Sequence, residues 1–520
     1  MNRRRFLGVL GGTGVAVAAG GTVAGCGSTT ETAGVVLPSA APPPAAFRVP
    51  LPIPRVAKPV RGSDGVDRYE VTEKIGTAEI LPGTSTKVWG YDGTFPGTTF
   101  EARSGREISV RVRNELPQPT STHLHGGVTP ADSDGYPTDL VVPVGGTFDP
   151  HTQHSAGMPM TVRPGDWTLH QGVKEYRYPL AQRAATLWYH DHRMDFSAPQ
   201  VWRGLVGMFV VRDDEDDALP LPRGDREIPL LICDRSFGED GSFAYPALDP
   251  SLTMTPGVRR AYMQGVQGDV ILVNGAPWPE LEVTATRYRF RVVNASNARR
   301  YELALSTGDE FVQVGSDQGL LARPVRRRSL TMAPAERADV VVDFSGVRPG
   351  SVVTMTNRLG SGRTARVMRF RVTRRASDDS RVPARLCDFE TLSAGRAVTT
   401  RRFDFRLTSG DGGKRWTVNG QVFDPSTYLA RPRLGTVERW VFSSDFHHPV
   451  HTHLAHFQVV SRDNRPPSAA DAGWKDVVDL RPYEVVEVLV RFTGFRGRYM
   501  LHCHNLEHED MAMMGNFQVV

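Results

Sequence analysis

Near its C-terminus the chain reads His502-Cys503-His504, followed by His508 and Met513. Side chains on a strand alternate between faces, so His502 and His504 point one way and Cys503 the other. Imidazole suits copper, zinc, iron and nickel, but a thiolate with a methionine close by points to copper. His448, arriving from the same region, completes a set of two histidines, Cys503 and a long axial Met513, which is the arrangement of a blue-copper electron-transfer site. Metals held by the flanking histidines would be joined to that site through a few covalent bonds, a short electron path with a built-in direction.

The rest of the chain supplies partners for those flanking histidines. Of its 15 histidines, ten fall into four clusters: His123 and His125; His190 and His192; His448, His451 and His453; His502, His504 and His508. Apart from His448 and His508, these form four pairs, enough imidazoles for three coppers with positions left open for oxygen. A zinc site uses four protein ligands, or three when catalytic, so this set overshoots one. His151, His154, His170, His447 and His456 read as ordinary polar residues, and His447 faces away from its neighbour His448. Met511 and Met514 are the rivals to Met513. Arg326, Arg327 and Arg328 read as a solvated edge.

The elements that must position these residues carry a weak internal repeat. Asp92-Gly93, Asn274-Gly275 and Asn419-Gly420 each precede an alternating run: Ile108–Val112, Tyr288–Val293 and Val437–Phe442. Each Asx-Gly pair is a turn signal, and each run is a strand signal. Three copies imply three related domains. With Gly 51 and Pro 38 and no long helical periodicity, the expected architecture is all-β, three consecutive β-sandwiches. Histidines follow the first and third copies, whereas Asn297-Ala298-Arg299-Arg300 follows the second. The middle domain therefore reads as a spacer without ligands. The expected boundaries are 61–218, 219–385 and 386–520.

The bulk properties agree. A chain of 520 residues has room for roughly three domains of about 150 residues. Its formal net charge of +5 is spread along the chain and gives no footprint for nucleic acid. Residues 1–26 read as an export signal: a twin-arginine start at Arg3-Arg4-Arg5-Phe6-Leu7, an apolar stretch too short to span a membrane, then Val23-Ala24-Gly25-Cys26, which resembles a lipoprotein box. A lipid on Cys26 would anchor the chain to the outer face of the cell membrane, its only membrane contact. Residues 27–60, rich in Pro, Ala, Ser and Thr, read as a disordered tether. Cys233 and Cys387 remain either a disulfide or two buried thiols.

The four histidine clusters, in this order, resemble the signature of the multicopper oxidases, over residues from about 65 to 520. His123-Leu124-His125-Gly126 with Ser133-Asp134-Gly135-Tyr136-Pro137, Trp188-Tyr189-His190-Asp191-His192 and Ile271-Leu272-Val273-Asn274-Gly275 are similar to the branch of bacterial spore-coat laccases, bilirubin oxidases and phenoxazinone synthase. The resemblance implies three cupredoxin-like, Greek-key domains and four coppers per chain. It places the type 1 copper on His448, Cys503, His508 and Met513, whose spacing from His508 is the family's. It places the type 2 copper on His123 and His451, and the type 3 pair on His125, His190, His192, His453, His502 and His504. Asp134 and Glu509 match the family's acidic proton donors. The implied reaction takes single electrons from a small reducing substrate at the type 1 site and reduces O2 to water at the other three coppers. Phenols or aminophenols are the expected donors. Cu(I) oxidation for copper tolerance is the alternative, set back because no methionine-rich run lies between residues 350 and 450. A non-enzymatic relative would have lost Cys503 or several histidines. Three domains are expected to suffice as a monomer.

Overall fold

The computed structural model describes residues 34–61, 64–149, 162–410 and 413–520. The residues read as an export signal with a lipoprotein-like box at Cys26, and His151 and His154, lie outside the described residues.

The three Asx-Gly turns form alike. Both residues of each take positive φ: Asp92 and Gly93, Asn274 and Gly275, Asn419 and Gly420. Asx and Gly tolerate this backbone region best. In each copy the Asx side-chain oxygen accepts a backbone N–H from the domain's leading strand: from Thr72 at 3.0 Å to Asp92, from Leu231 at 2.8 Å to Asn274, and from Asp404 at 2.8 Å to Asn419. The three turns are thus one local device used three times.

The larger sheets come in three pairs, in sequence order. In the first, a five-stranded sheet built on Asp67–Ala78 and Ile108–Asn114 packs against a four-stranded sheet of Gly97–Arg103, Val206–Arg212, Ala185–Asp191 and Thr122–His125. Their common core includes Val71, Val110, Phe100, Leu124 and Phe209. In the second, Arg287–Asn294 and Arg337–Asp343 lie in one sheet, and Val352–Asn357 and Arg366–Arg375 in the other, around Phe290, Val340 and Phe370. In the third, Ala397–Gly410, Val437–Ser444 and Val485–Arg491 face His448–Thr452, Gly497–Cys503 and Met514–Val519 around Phe403, Trp440, Val488 and Phe517. Each fully buried aliphatic or aromatic side chain in these cores contributes about 1.5–3 kcal/mol. The all-β architecture of three consecutive sandwiches is as expected. Among the described residues, the α-helices are the short Ser197–Arg203, Asp214–Ala218 and Leu506–Asp510.

The disordered tether is corrected for residues 34–60. Val35–Leu37 pairs in parallel with Val266–Gly268, and Leu37, Ala41 and Leu51 are buried. Proline removes donors, yet the N–H groups between the prolines find acceptors: Val35 on the Gly265 carbonyl, Phe47 on Trp278 and Leu51 on Glu280, each at 2.8 Å. An edge with satisfied bonds and a few apolar anchors outweighs composition. Cys233 and Cys387 are free thiols, both buried, so the disulfide alternative does not form.

Glu73 marks a conflict inside the first domain. It is fully buried on the strand Asp67–Ala78 and accepts hydroxyl bonds from Thr120 at 2.5 Å and Thr122 at 3.0 Å. Burial pushes its carboxyl up to about 7. Raised above its unfolded value, it supports folding fully below about pH 4.5 and loses about 3 kcal/mol of that support as pH rises through about 7. Glu73→Gln is therefore expected to melt above the parent protein at about pH 8 and close to it at about pH 4. A difference independent of pH, read by calorimetry, would contradict this.

Candidate metal centres

Cys503 ends the strand Gly497–Cys503, and the short helix Leu506–Asp510 turns His508 back beneath it. His448 opens the neighbouring strand His448–Thr452. Their ligand atoms converge: His448 Nδ1 lies 3.3 Å and His508 Nδ1 3.6 Å from the Cys503 Sγ, and the two ring nitrogens are 3.2 Å apart. All three residues are fully buried. Met513 is also fully buried, in the same apolar cluster as Cys503 and Met511, whereas Met514 packs in another cluster with Tyr136 and Met500. Trp416 stacks on His508 with ring centres 3.9 Å apart. Asp445 brings a carboxylate oxygen to 3.6 Å from His448 Nε2.

Across the strand, His502 and His504 face the opposite way, as alternation requires. The strands Thr122–His125, Ala185–Asp191 and His448–Thr452 bring the other histidines to meet them, sorted into three groups: His123, His125 and His451; His125, His190 and His504; His192, His453 and His502. Contacts between first- and third-domain rings close the groups: His451 Nε2 to His123 Nε2 at 3.4 Å, His192 Nε2 to His502 Nε2 at 3.4 Å, and His504 Nε2 to His190 Nε2 at 3.4 Å. Among the described residues, the middle domain contributes nothing to any of these groups.

The outward nitrogens explain the orientation. His123 Nδ1 donates to the Asp134 carbonyl at 2.5 Å, His190 Nδ1 to the Asp191 carbonyl at 2.8 Å, and His451 Nδ1 to the Asp476 carbonyl at 2.9 Å. His453 Nδ1 donates to the Asp134 carboxylate at 2.7 Å. His125 is reversed: its Nε2 bonds the Asp476 carboxylate at 3.1 Å, and its buried Nδ1 has no hydrogen-bond partner. Burial holds His123, His125, His190, His453, His502, His504 and His508 well below the usual imidazole range, and pushes His192 down to about 4. The rings are therefore neutral. Where the outward nitrogen carries the proton, bare lone pairs face one another inside, an arrangement that a cation reconciles. The donor set fits a metal, and the thiolate makes that metal copper. Burial also raises the Cys503 thiol well above its usual range, so metal uptake there must displace a proton.

The two acids expected from the sequence border the histidine groups. Asp134 is buried and pushed up to about 8 by its surroundings. Glu509 is buried, its pKa raised by burial, with one oxygen 3.1 Å from His502 Nδ1 and the other 3.7 Å from His192 Nδ1. The histidines read as ordinary are so where described: His170 pairs with Asp139 at 2.8 Å, and His456 donates to the Gly126 carbonyl at 3.2 Å. His447 is buried outside the four groups. Sequence reasoning missed Asp476, which touches both His125 and His451, and Trp416, Asp445 and Trp188, whose ring stacks on His190 at 4.3 Å.

Comparison with known proteins agrees with this geometry. Family models described as multicopper oxidase match residues 73–160 and 165–216, and again 399–520. The chain is 36% identical to a laccase of Bacillus subtilis (strain 168), over 89% of this chain and 96% of that one. It is 36% identical to a bilirubin oxidase of Albifimbria verrucaria, over 91% of this chain and 81% of that one. Among solved structures, a laccase from Pediococcus acidilactici superposes with a TM-score of 0.79 at 28% identity, covering 93% of this chain and 95% of that one. McoA multicopper oxidase of Aquifex aeolicus superposes with a TM-score of 0.76 at 29% identity, covering 91% and 100%. With three cupredoxin-like sandwiches, a thiolate site and histidine groups between the first and third of them, the chain belongs to the multicopper oxidase family, in its laccase-like branch, as a copper oxidoreductase that uses O2.

Proposed function

We propose that the chain holds four coppers and oxidises phenolic or aminophenolic donors. His448, Cys503, His508 and Met513 would hold the type 1 copper, and His123 and His451 the type 2 copper. His125, His190 and His504 would hold one member of the type 3 pair, and His192, His453 and His502 the other. The observation that carries this reading is the sorting of ten buried histidines and Cys503 into groups whose ligand atoms lie within 4.8 Å of one another. When bound, copper supplies one-electron acceptance at the thiolate site and four-electron reduction of O2 at the three-metal group. The protein's part is positional and protonic. Cys503 and its two neighbours along the backbone join the sites covalently. Asp134 and Glu509, buried beside His453 and His502, keep protons within reach of the group where water forms. The domains 61–218 and 386–520 would carry the ligands, and 219–385 the spacing. The leader reads as twin-arginine export with a lipid on Cys26, which would place a monomeric enzyme outside the cytoplasm.

The test is copper content together with visible absorption and donor rates. Four coppers per chain and an intense thiolate-to-copper band are expected, with faster turnover on a phenol than on Cu(I) at equal concentration. Cys503→Ser is expected to lose both the band and turnover. A copper content well below four after reconstitution, with no such band, would sink the reading; a preference for Cu(I) would overturn the substrate alone.

Asp134→Asn separates proton supply from electron entry. Its kcat is expected to fall by roughly 10²-fold, the size of a lost general acid. The thiolate band and the KM for the reducing donor should stay unchanged. An unaltered kcat across the pH range would remove Asp134 from the proton path.

A further inference from the structure

The middle domain supplies no ligand, yet it sends one side chain to the edge of the histidine groups. Arg337 opens the strand Arg337–Asp343 and is buried with its side chain 0% exposed. Its guanidinium gives every N–H to an acceptor. Nε donates to the Thr186 carbonyl at 3.0 Å, and Nη1 donates to the Ala335 carbonyl at 3.0 Å and to Asp476 Oδ1 at 2.7 Å. Nη2 donates to the Asp317 carbonyl at 3.1 Å and to Asp476 Oδ2. Thr186 lies on the first-domain strand Ala185–Asp191, which leads into His190 and His192. Asp476 belongs to the third domain and touches His125 through its carboxylate and His451 through its carbonyl. One side chain therefore references all three domains and two ligand-bearing segments.

We propose that Arg337 is a positioning residue for the three-copper group: it fixes the Asp476 carboxylate, which in turn fixes the rings of His125 and His451. This rests on the reading that those histidines hold copper. The planar guanidinium engages both carboxylate oxygens at once, which sets the plane of Asp476 as well as its place. An ammonium is a point charge and sets neither. Without Arg337, Asp476 loses the partner of both its carboxylate oxygens and is free to turn away from His125. Gln318, also from the middle domain, donates to the same carboxylate and to the Gly126 carbonyl at 3.0 Å. Gly126, directly after His125, has φ +86°, and a Cβ there would meet Arg337 Nη2 at 2.7 Å and Asp476 Oδ2 at 2.8 Å. The glycine in the first histidine motif is thus explained by the close approach of this clamp.

The experiment compares the copper-loaded parent protein with Arg337→Gln and Arg337→Lys. The readouts are the thiolate band, the type 2 copper EPR signal and copper retained against a chelator. Arg337→Gln is expected to keep the thiolate band, since that site lies wholly within the third domain. It should hold the type 2 copper about 10–100-fold more weakly, the usual effect of losing a partner behind a metal ligand. Arg337→Lys is expected to fall between the two, with an altered type 2 spectrum. Type 2 retention within twofold of the parent in both variants would overturn the proposal. So would parallel loss of the thiolate band and the type 2 signal in a variant that still folds. Should Arg337→Gln not fold, Arg337→Lys decides by the same two criteria. A parent protein that takes up no copper would overturn the copper reading itself.

Discussion

Everything in this molecule depends on keeping neutral imidazoles buried with their lone pairs aimed at common points. Burial removes water that would otherwise protonate them, and it depresses their pKa values. Burial alone would leave the rings free to turn. Outward N–H groups end that freedom for His123, His190, His451 and His453, which bond fixed acceptors: the carbonyls of Asp134, Asp191 and Asp476, or the carboxylate of Asp134. Those acceptors sit on strand ends and on a turn within stiff sandwiches, so the sheets set the direction of the lone pairs.

This constraint explains why three domains are needed. No single sandwich holds both halves of a histidine group; the first and third must face each other, and their rings interleave at 3.4 Å. The middle domain fills its spacing role through chemistry as well as bulk. Arg337 and Gln318 reach Asp476, and Lys475 of the third domain pairs with Asp317 at 3.0 Å and Glu336 at 3.1 Å. A buried ionic network of this kind is a poor source of net stability but a strict one for geometry, since a misaligned pair leaves charges unpaired in an apolar setting.

The histidine and cysteine groups were legible because metal binding would restrict residue type and spacing together. His502-Cys503-His504 on a strand admits one reading of which side faces which metal. The three turns were legible because Asx-Gly turns need positive φ and few residues supply it. The clamp was not legible, since Asp476 and Arg337 are single charges that meet only after folding, at a sequence separation of 139. Two local hints exist in retrospect: a glycine directly after His125, and an arginine shortly before the apolar run Val340–Val342. The ordered arm at residues 34–60 was misread because composition records the prolines but not the edge strand Val266–Gly268 that receives the chain. Asp134 and Glu509 were reachable only through the family pattern, for nothing in a lone carboxylate's neighbours says that it will be buried.

The proposed assignment gives each buried group one metal and its own set of residues. Diffraction from crystals of the copper-loaded protein, recorded at the copper absorption edge, tests it directly. Four anomalous peaks are expected: one among His448, Cys503 and His508, and three between the first and third domains, within the groups containing His123 and His451, His125 with His190 and His504, and His192 with His453 and His502. A single peak at Cys503, or peaks placed away from these rings, would contradict it.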